Sequence, residues 1–212
     1  MGISAAQVKE LRGKTGAGMM DCKAALQETG GDVEKAVDHL RKAGILKAAK
    51  RAERATGQGT IASYVHAGSK LAVLVEVNCE TDFVAKTDLF QAFSKDVAMH
   101  VAAQNPLVIM REELPQDVLE RERSIYKEQA LASGKPENIV DKIVDGKIGK
   151  YYSEVCLLEQ QFVKDTDITI GDLLTQTIAT LGENIRIARF VRIELGKSAS
   201  GDQEEASGAC CV

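Results

Sequence analysis

The stretch TIASYVHAGSKLAVLVEVN, Thr60 to Asn78, decides the fold. Its two runs, Thr60 to His66 and Leu71 to Val77, are rich in β-branched and aromatic residues, and Ala67-Gly68-Ser69-Lys70 joins them, which predicts a β-hairpin. The second run is apolar almost throughout, the mark of a central strand covered on both faces. A third run, IRIARFVRIEL from Ile185 to Leu195, carries its charges mostly at alternate positions and closes the sheet. Helices are expected in between. Phe90, Phe93, Val97 and Val101 fall at spacings of 3, 4 and 4 behind Thr87 as N-cap. Pro115 and Pro136 open two more helices as N1 residues, and Thr169 with Asp172 caps a last one that stops at Gly182. Strand pair, helices and closing strand make an α+β plan with a three-stranded antiparallel sheet.

Upstream of the hairpin the pattern is helical throughout. Ser4 with Gln7 forms a capping box, Val8 and Leu11 supply an apolar stripe, and Gly13 is the expected stop. A second helix runs from Met20 through Leu26 to Gly30-Gly31, and a third starts at Asp32, with Val33, Ala36, Val37 and Leu40 on one face. ILKAAKRAERA, Ile45 to Ala55, is Ala-rich and basic with almost no stripe, and reads as a solvated helical connector ending at Gly57. The chain therefore divides into residues 1–45, a connector 46–57, an α+β core 58–196, and a small, polar tail 197–212 with the composition of disorder.

Composition narrows the function. The chain has 212 residues, of which 44% are hydrophobic and 27% charged, as in soluble globular proteins. No apolar run nears the ~20 residues of a membrane span, and MGISAAQVKE lacks the plan of a signal peptide, so a soluble intracellular protein is expected. Ala6 breaks the myristoylation pattern, and Ala209 stands where a prenylation motif needs Cys. Five cysteines, Cys22, Cys79, Cys156, Cys210 and Cys211, include no CxxC pair, which points away from a zinc site or a disulfide framework. Residues 1–55 carry 11 Lys and Arg against 7 Asp and Glu, whereas the rest carries 16 against 24. A basic head and an acidic body suggest two surfaces with different partners.

The most unusual segment follows the hairpin. In VNCETDFVAKTDLF, Val77 to Phe90, an apolar strand stops at Asn78 and a lone Phe83 follows Cys79, Glu80, Thr81 and Asp82. By pattern, Phe83 is either an exposed anchor for a protein partner or a plug at the top of the core. Cys79, His66 and Asp82 also have the residue types of a nucleophile, base and orienter. That reading is the weaker one, because no nucleophile turn or oxyanion nest accompanies them. No GxxxxGK[ST] or Rossmann glycine pattern is present, so no cofactor is expected. Lys47, Lys50, Arg51 and Arg54 offer a phosphate-contacting alternative, but cations without interleaved aromatics usually form a solvated face. His39 is expected to face solvent and His100 to pack in the core.

VKELRGKTGAGMMDCKAAL, GGDVEKAVDHLRKAGILKAAK, VEVNCETDFVAKTDLFQAF and ENIRIARFVRIELG together resemble the bacterial and organellar translation elongation factor Ts family over about residues 3–196. The resemblance implies a guanine-nucleotide exchange factor for elongation factor Tu that makes and breaks no covalent bond and works in the cytoplasm or an organelle. It also implies a ubiquitin-associated-like three-helix module before the α+β core. In that family the aromatic of TDFV, here Phe83 between Thr81-Asp82 and Val84, inserts beside the magnesium and phosphate end of the GTPase site. Lys23, with Met19 and Met20 of MMDCK, and the hairpin residue His66 correspond to further contact positions. Longer relatives carry a second core subdomain and a coiled-coil insertion. The single hairpin and closing strand here resemble the short forms, for which a homodimer through the sheet is implied.

Overall fold

The computed structural model describes residues 3–134 and 136–197. The Met-Gly start and the tail with Cys210 and Cys211 lie outside the described residues. Strands β1 (Gln58–Val65), β2 (Leu71–Cys79) and β5 (Ile185–Glu194) form one antiparallel sheet in the order β1-β2-β5. The hairpin closes where expected: His66 N donates to Leu71 O at 2.8 Å and Ser69 N to His66 O at 2.9 Å. Gly59 admits the neighbouring strand because a Cβ there would stand 2.2 Å from Val77 O.

Helix α5 (Asp88–Gln104), capped by Thr87, lays Phe90, Phe93, Val97 and Val101 against the inner face of the sheet, where β2 contributes Val73, Val75, Val77 and Cys79. Helix α8 (Ile170–Leu181), with its Thr169–Asp172 capping box and its left-handed stop at Gly182, completes this layer. Among the described residues, helices cover only one face. The outer residue Leu74 of β2 is exposed, so the expectation of a strand buried on both faces is corrected: its apolar character serves one covered face and one open one.

The alternation of β5 also breaks. The register shifts between Glu76–Arg189 and Val77–Ile187, leaving Ala188 as an extra residue. Because side chains alternate with a period of two, one added residue exchanges the faces. Ile185 and Ile187 point inward before the bulge and Phe190 after it. Arg192 and Glu194 are thereby partly buried and pair with one another at 2.7 Å.

Three further helices precede the sheet: α1 (Ala5–Thr15), α2 (Met19–Glu28) and α3 (Val33–Ala49). They enclose Val8, Leu11, Cys22, Ala25, Leu26 and Ala36. Helix α1 passes through the exposed Gly13 and stops at Gly16, whose φ of 64° provides the left-handed turn. An isolated glycine weakens a helix interior without breaking it. Helix α3 likewise continues to Ala49, so the connector begins as its last turn and becomes irregular from Lys50 to Arg54. Its inner side rests on α8, where Arg41 bonds Asp172 at 2.9 Å. A cleft of about 410 Å³ runs along this seam.

The two helices expected to open at Pro115 and Pro136 are both present, and one further piece, a short ribbon, was not anticipated. Helices α6 (Gln116–Ala132) and α7 (Glu137–Val155) form a hairpin with its own small core of Ala130, Val140, Val144 and Ile148. Pro115 and Pro136 stand one position earlier than expected, as N-caps. The short strands β3 (Gln161–Phe162) and β4 (Asp165–Thr169) pair as a separate ribbon leading into α8.

Candidate functional site

At its far end β2 hands over to a single helical turn, α4 (Asp82–Ala85). Thr81 caps it with extended backbone, and its Oγ1 accepts from Val84 N at 3.4 Å. The same hydroxyl donates to Glu183 Oε1 at 2.6 Å, and Thr81 N donates to Glu183 Oε2 at 3.0 Å. Glu80 Oε1 accepts from Asn184 N at 2.7 Å and from Arg54 Nη1 at 3.4 Å. Beneath the turn, Cys79 Sγ donates to Thr81 O, Thr87 Oγ1 to Val84 O and Gln91 Nε2 to Ala85 O. Val84 packs against the main core.

This bracing leaves two side chains outward. Asp82 bonds Lys86 Nζ at 2.7 Å, and that hydrogen bond, with the ammonium charge, holds its carboxyl below the usual range. Phe83 is 80% exposed. Of the two readings of Phe83, the core plug is therefore excluded. An aromatic held in water by a fixed turn leaves unused roughly 1.5–3 kcal/mol of burial.

The remaining candidates divide. Met19, Met20 and Lys23 are exposed on α2, with Met20 at 75%. Asp21 beside them bonds Lys47 at 3.0 Å, which ties the start of α2 to the end of α3. Seven residues further along the chain Arg54 reaches Glu80 at 3.4 Å, so the segment that leaves α3 also touches the Phe83 turn. His66 stands apart. It follows Val65 at the hairpin turn, where its Nδ1 lies 3.1 Å from Tyr64 Oη, whereas the Phe83 turn follows Cys79, the partner of Gln58. Eight strand residues separate the two ends, roughly 25 Å.

That separation removes the arrangement of Cys79, His66 and Asp82 as a catalytic unit. Cys79 is fully buried, and burial together with the Glu183 charge pushes its thiol up, the reverse of an activated nucleophile. Among the described residues no cluster of His, Cys, Asp or Glu is arranged to hold a metal ion. Sequence reasoning missed Glu183 and Asn184. They lie about a hundred positions from the turn they brace, and no local pattern marks them.

Fold and edge together define an α+β protein that presents one aromatic side chain on a braced turn beside a basic helical module. The elongation factor TS family model matches residues 22–197. Elongation factor Ts of Geobacter metallireducens is 59% identical over 197 residues, covering 93% of this chain and 91% of that protein. Elongation factor Ts of Desulfosudis oleivorans is 62% identical over 195 residues, covering 92% and 98%. The chain belongs to the elongation factor Ts family, a family of translation elongation factors.

Proposed function

We propose that this protein is the guanine-nucleotide exchange factor for elongation factor Tu in its own cytoplasm or organelle, and that Phe83 is its wedge. The observation that carries the reading is Phe83 itself, 80% exposed on a turn braced by the Thr81–Glu183 bonds. In this reading Thr81, Asp82, Phe83 and Val84 engage the magnesium and phosphate end of the GTPase site. Met19, Met20 and Lys23 contribute a second contact through the N-terminal helices, and His66 a third at the hairpin end of the sheet.

The mechanism follows from linkage. A factor that binds the nucleotide-free GTPase more tightly than the GDP-bound one must weaken nucleotide binding by the same factor. Disturbing the magnesium environment does this because the cation offsets phosphate charge. Inverting a two-state equilibrium from about 1:99 to 99:1 needs ~5.5 kcal/mol of differential binding, about twice what one phenylalanine supplies. The N-terminal helices and the hairpin end must supply the rest.

Phe83→Ala should slow GDP release from elongation factor Tu by about tenfold or more while leaving measurable association. Stopped-flow release of a fluorescent GDP checks this, and an unchanged rate rejects the wedge.

A second partner is favoured by the outer face of the sheet. Ile61, Val65, Leu74, Val191 and Ile193 are all exposed there, a larger apolar patch than scattered surface residues make. We propose that a second copy of the chain covers it.

A further inference from the structure

Resting on the exchange reading above, we propose that Glu183 and Asn184 are positioning residues: Glu183 sets the pitch of the Phe83 turn, and Asn184 fixes that turn relative to the N-terminal helices. Both residues directly follow Gly182, whose φ of 81° ends α8 and turns the chain toward β5. This end of α8 is where the Phe83 turn meets the rest of the molecule.

The role of Glu183 comes from what it bonds. Its two carboxylate oxygens take the backbone N–H and the hydroxyl of one residue, Thr81, at 3.0 and 2.6 Å. Held at both donors, Thr81 is left with one side-chain orientation, the one in which its oxygen accepts from Val84 N and starts α4. Phe83 is the second residue of that four-residue helix, so its direction follows from Thr81. Among the described residues Glu183 has no salt-bridge partner, so its bonds to Thr81 are the contacts that use its charge.

Asn184 bonds to a different set. Its backbone N–H donates to Glu80 at 2.7 Å, while its side-chain amide donates to Ala52 O at 3.2 Å and Arg54 O at 2.8 Å. Ala52 and Arg54 belong to the irregular segment that follows α3, and Arg54 closes the circuit back to Glu80. Asn184 is buried, so these bonds form out of competition with water. Two surfaces of one partner are met at lowest cost when their spacing is already set in the free protein. The Asn184 circuit sets the spacing between the α2–α3 surface and Phe83.

The two roles separate kinetically. Glu183→Ala should lower the maximal GDP-release rate at saturating factor by about tenfold, since misplacing a working group by an ångström costs up to 10²-fold. In a Phe83→Ala background the same substitution should cost clearly less than in the native one, because the largest side chain that the turn aims is gone. Glu183→Gln, which keeps one acceptor oxygen, should restore part of the rate. Asn184→Ala should instead raise the factor concentration at half-maximal rate by about tenfold, with the maximal rate largely kept. Circular dichroism melts accompany each variant, and Glu183→Gln serves as the mild substitution if Glu183→Ala fails to fold.

A Glu183→Ala effect that persists in full without Phe83 shows a merely structural role and overturns the inference. So does unchanged release in Glu183→Ala beside slowed release in Phe83→Ala, which leaves the exchange reading intact. Unchanged release in Phe83→Ala, where the native factor accelerates release, rejects the wedge and this inference with it, whereas a native factor that does not accelerate release rejects the exchange reading itself.

Discussion

His100 shows how one residue couples stability to pH. It is fully buried, with Nε2 placed 3.0 Å from Gln160 Oε1 and Nδ1 3.3 Å from Val163 N. Gln160 is oriented by its own donation to Glu154 O at 2.6 Å, so its oxygen faces the ring. The neutral imidazole fits as a donor at Nε2 and an acceptor at Nδ1. A second proton would set N–H against N–H, and burial drives the pKa below its ordinary 6.5. Below that value the unfolded chain takes up a proton that the folded chain resists. The contribution of His100 is therefore complete above pH 6.5 and declines as pH falls toward the folded value. Urea unfolding should show stability dropping from pH 7 to pH 5, with His100 accounting for up to about 1.4 kcal/mol per pH unit. His100→Gln should flatten that part of the slope even where it lowers stability overall. The core placement of His100 was legible from its position seven residues after Phe93 on one helix face. Its partner Gln160 was not, since sixty residues separate the two.

At the scale of elements, the seam between α3 and α8 decides how the N-terminal helices sit on the core. Gly44 lies at the crossing, and a Cβ added there would meet Ala179 Cβ at 3.6 Å, an ordinary contact. Gly44→Ala should therefore be tolerated or stabilise by up to ~1 kcal/mol, as the glycine penalty within a helix is removed. Gly44→Leu sets three further carbons beyond that contact toward α8 and should cost ~1–3 kcal/mol where they push the helices apart. Denaturant midpoints of the two variants check this, and equal midpoints reject the close crossing. The extent of α3 was only partly legible. Its start at Asp32 carries a capping signal, but beyond Gly44 its stripe fades because Ile45 and Leu46 face solvent while Ala48 touches the main core. A helix that changes the body it packs against has no single periodic face to read.

For the whole molecule, the open face of the sheet is the largest feature that the single chain does not explain. An antiparallel sheet with one face in water usually carries polar residues there. Here Leu74 has Ser63 and Val191 opposite it, and Ala72 has Val65 and Ile193. The Glu76–Arg189 pair at 2.6 Å marks the row beside Ile61. With the proposed second copy on this face, sedimentation of the native protein should show a concentration-dependent dimer. Ile61→Lys combined with Val191→Lys should stay monomeric with an unchanged melting profile. A native protein that remains monomeric at high concentration rejects the arrangement.

The sequence by itself determined the elements and the class of fold. Hairpin, closing strand, capped helices and core stripes are local patterns, enforced by backbone geometry and the burial of one face. It also singled out Phe83, as an aromatic out of register with everything around it. Only the tertiary structure decided that Phe83 points into water, that β2 has an open face, that a bulge turns Arg192 inward, and that Cys79 and His66 lie at opposite ends of a hairpin. Each of these depends on groups far apart in the chain: Glu183 on Thr81, Asn184 on Ala52, β5 on β2. Hydrogen bonds of that kind leave no periodic trace in sequence, because they are selected by position in space and not by spacing along the chain.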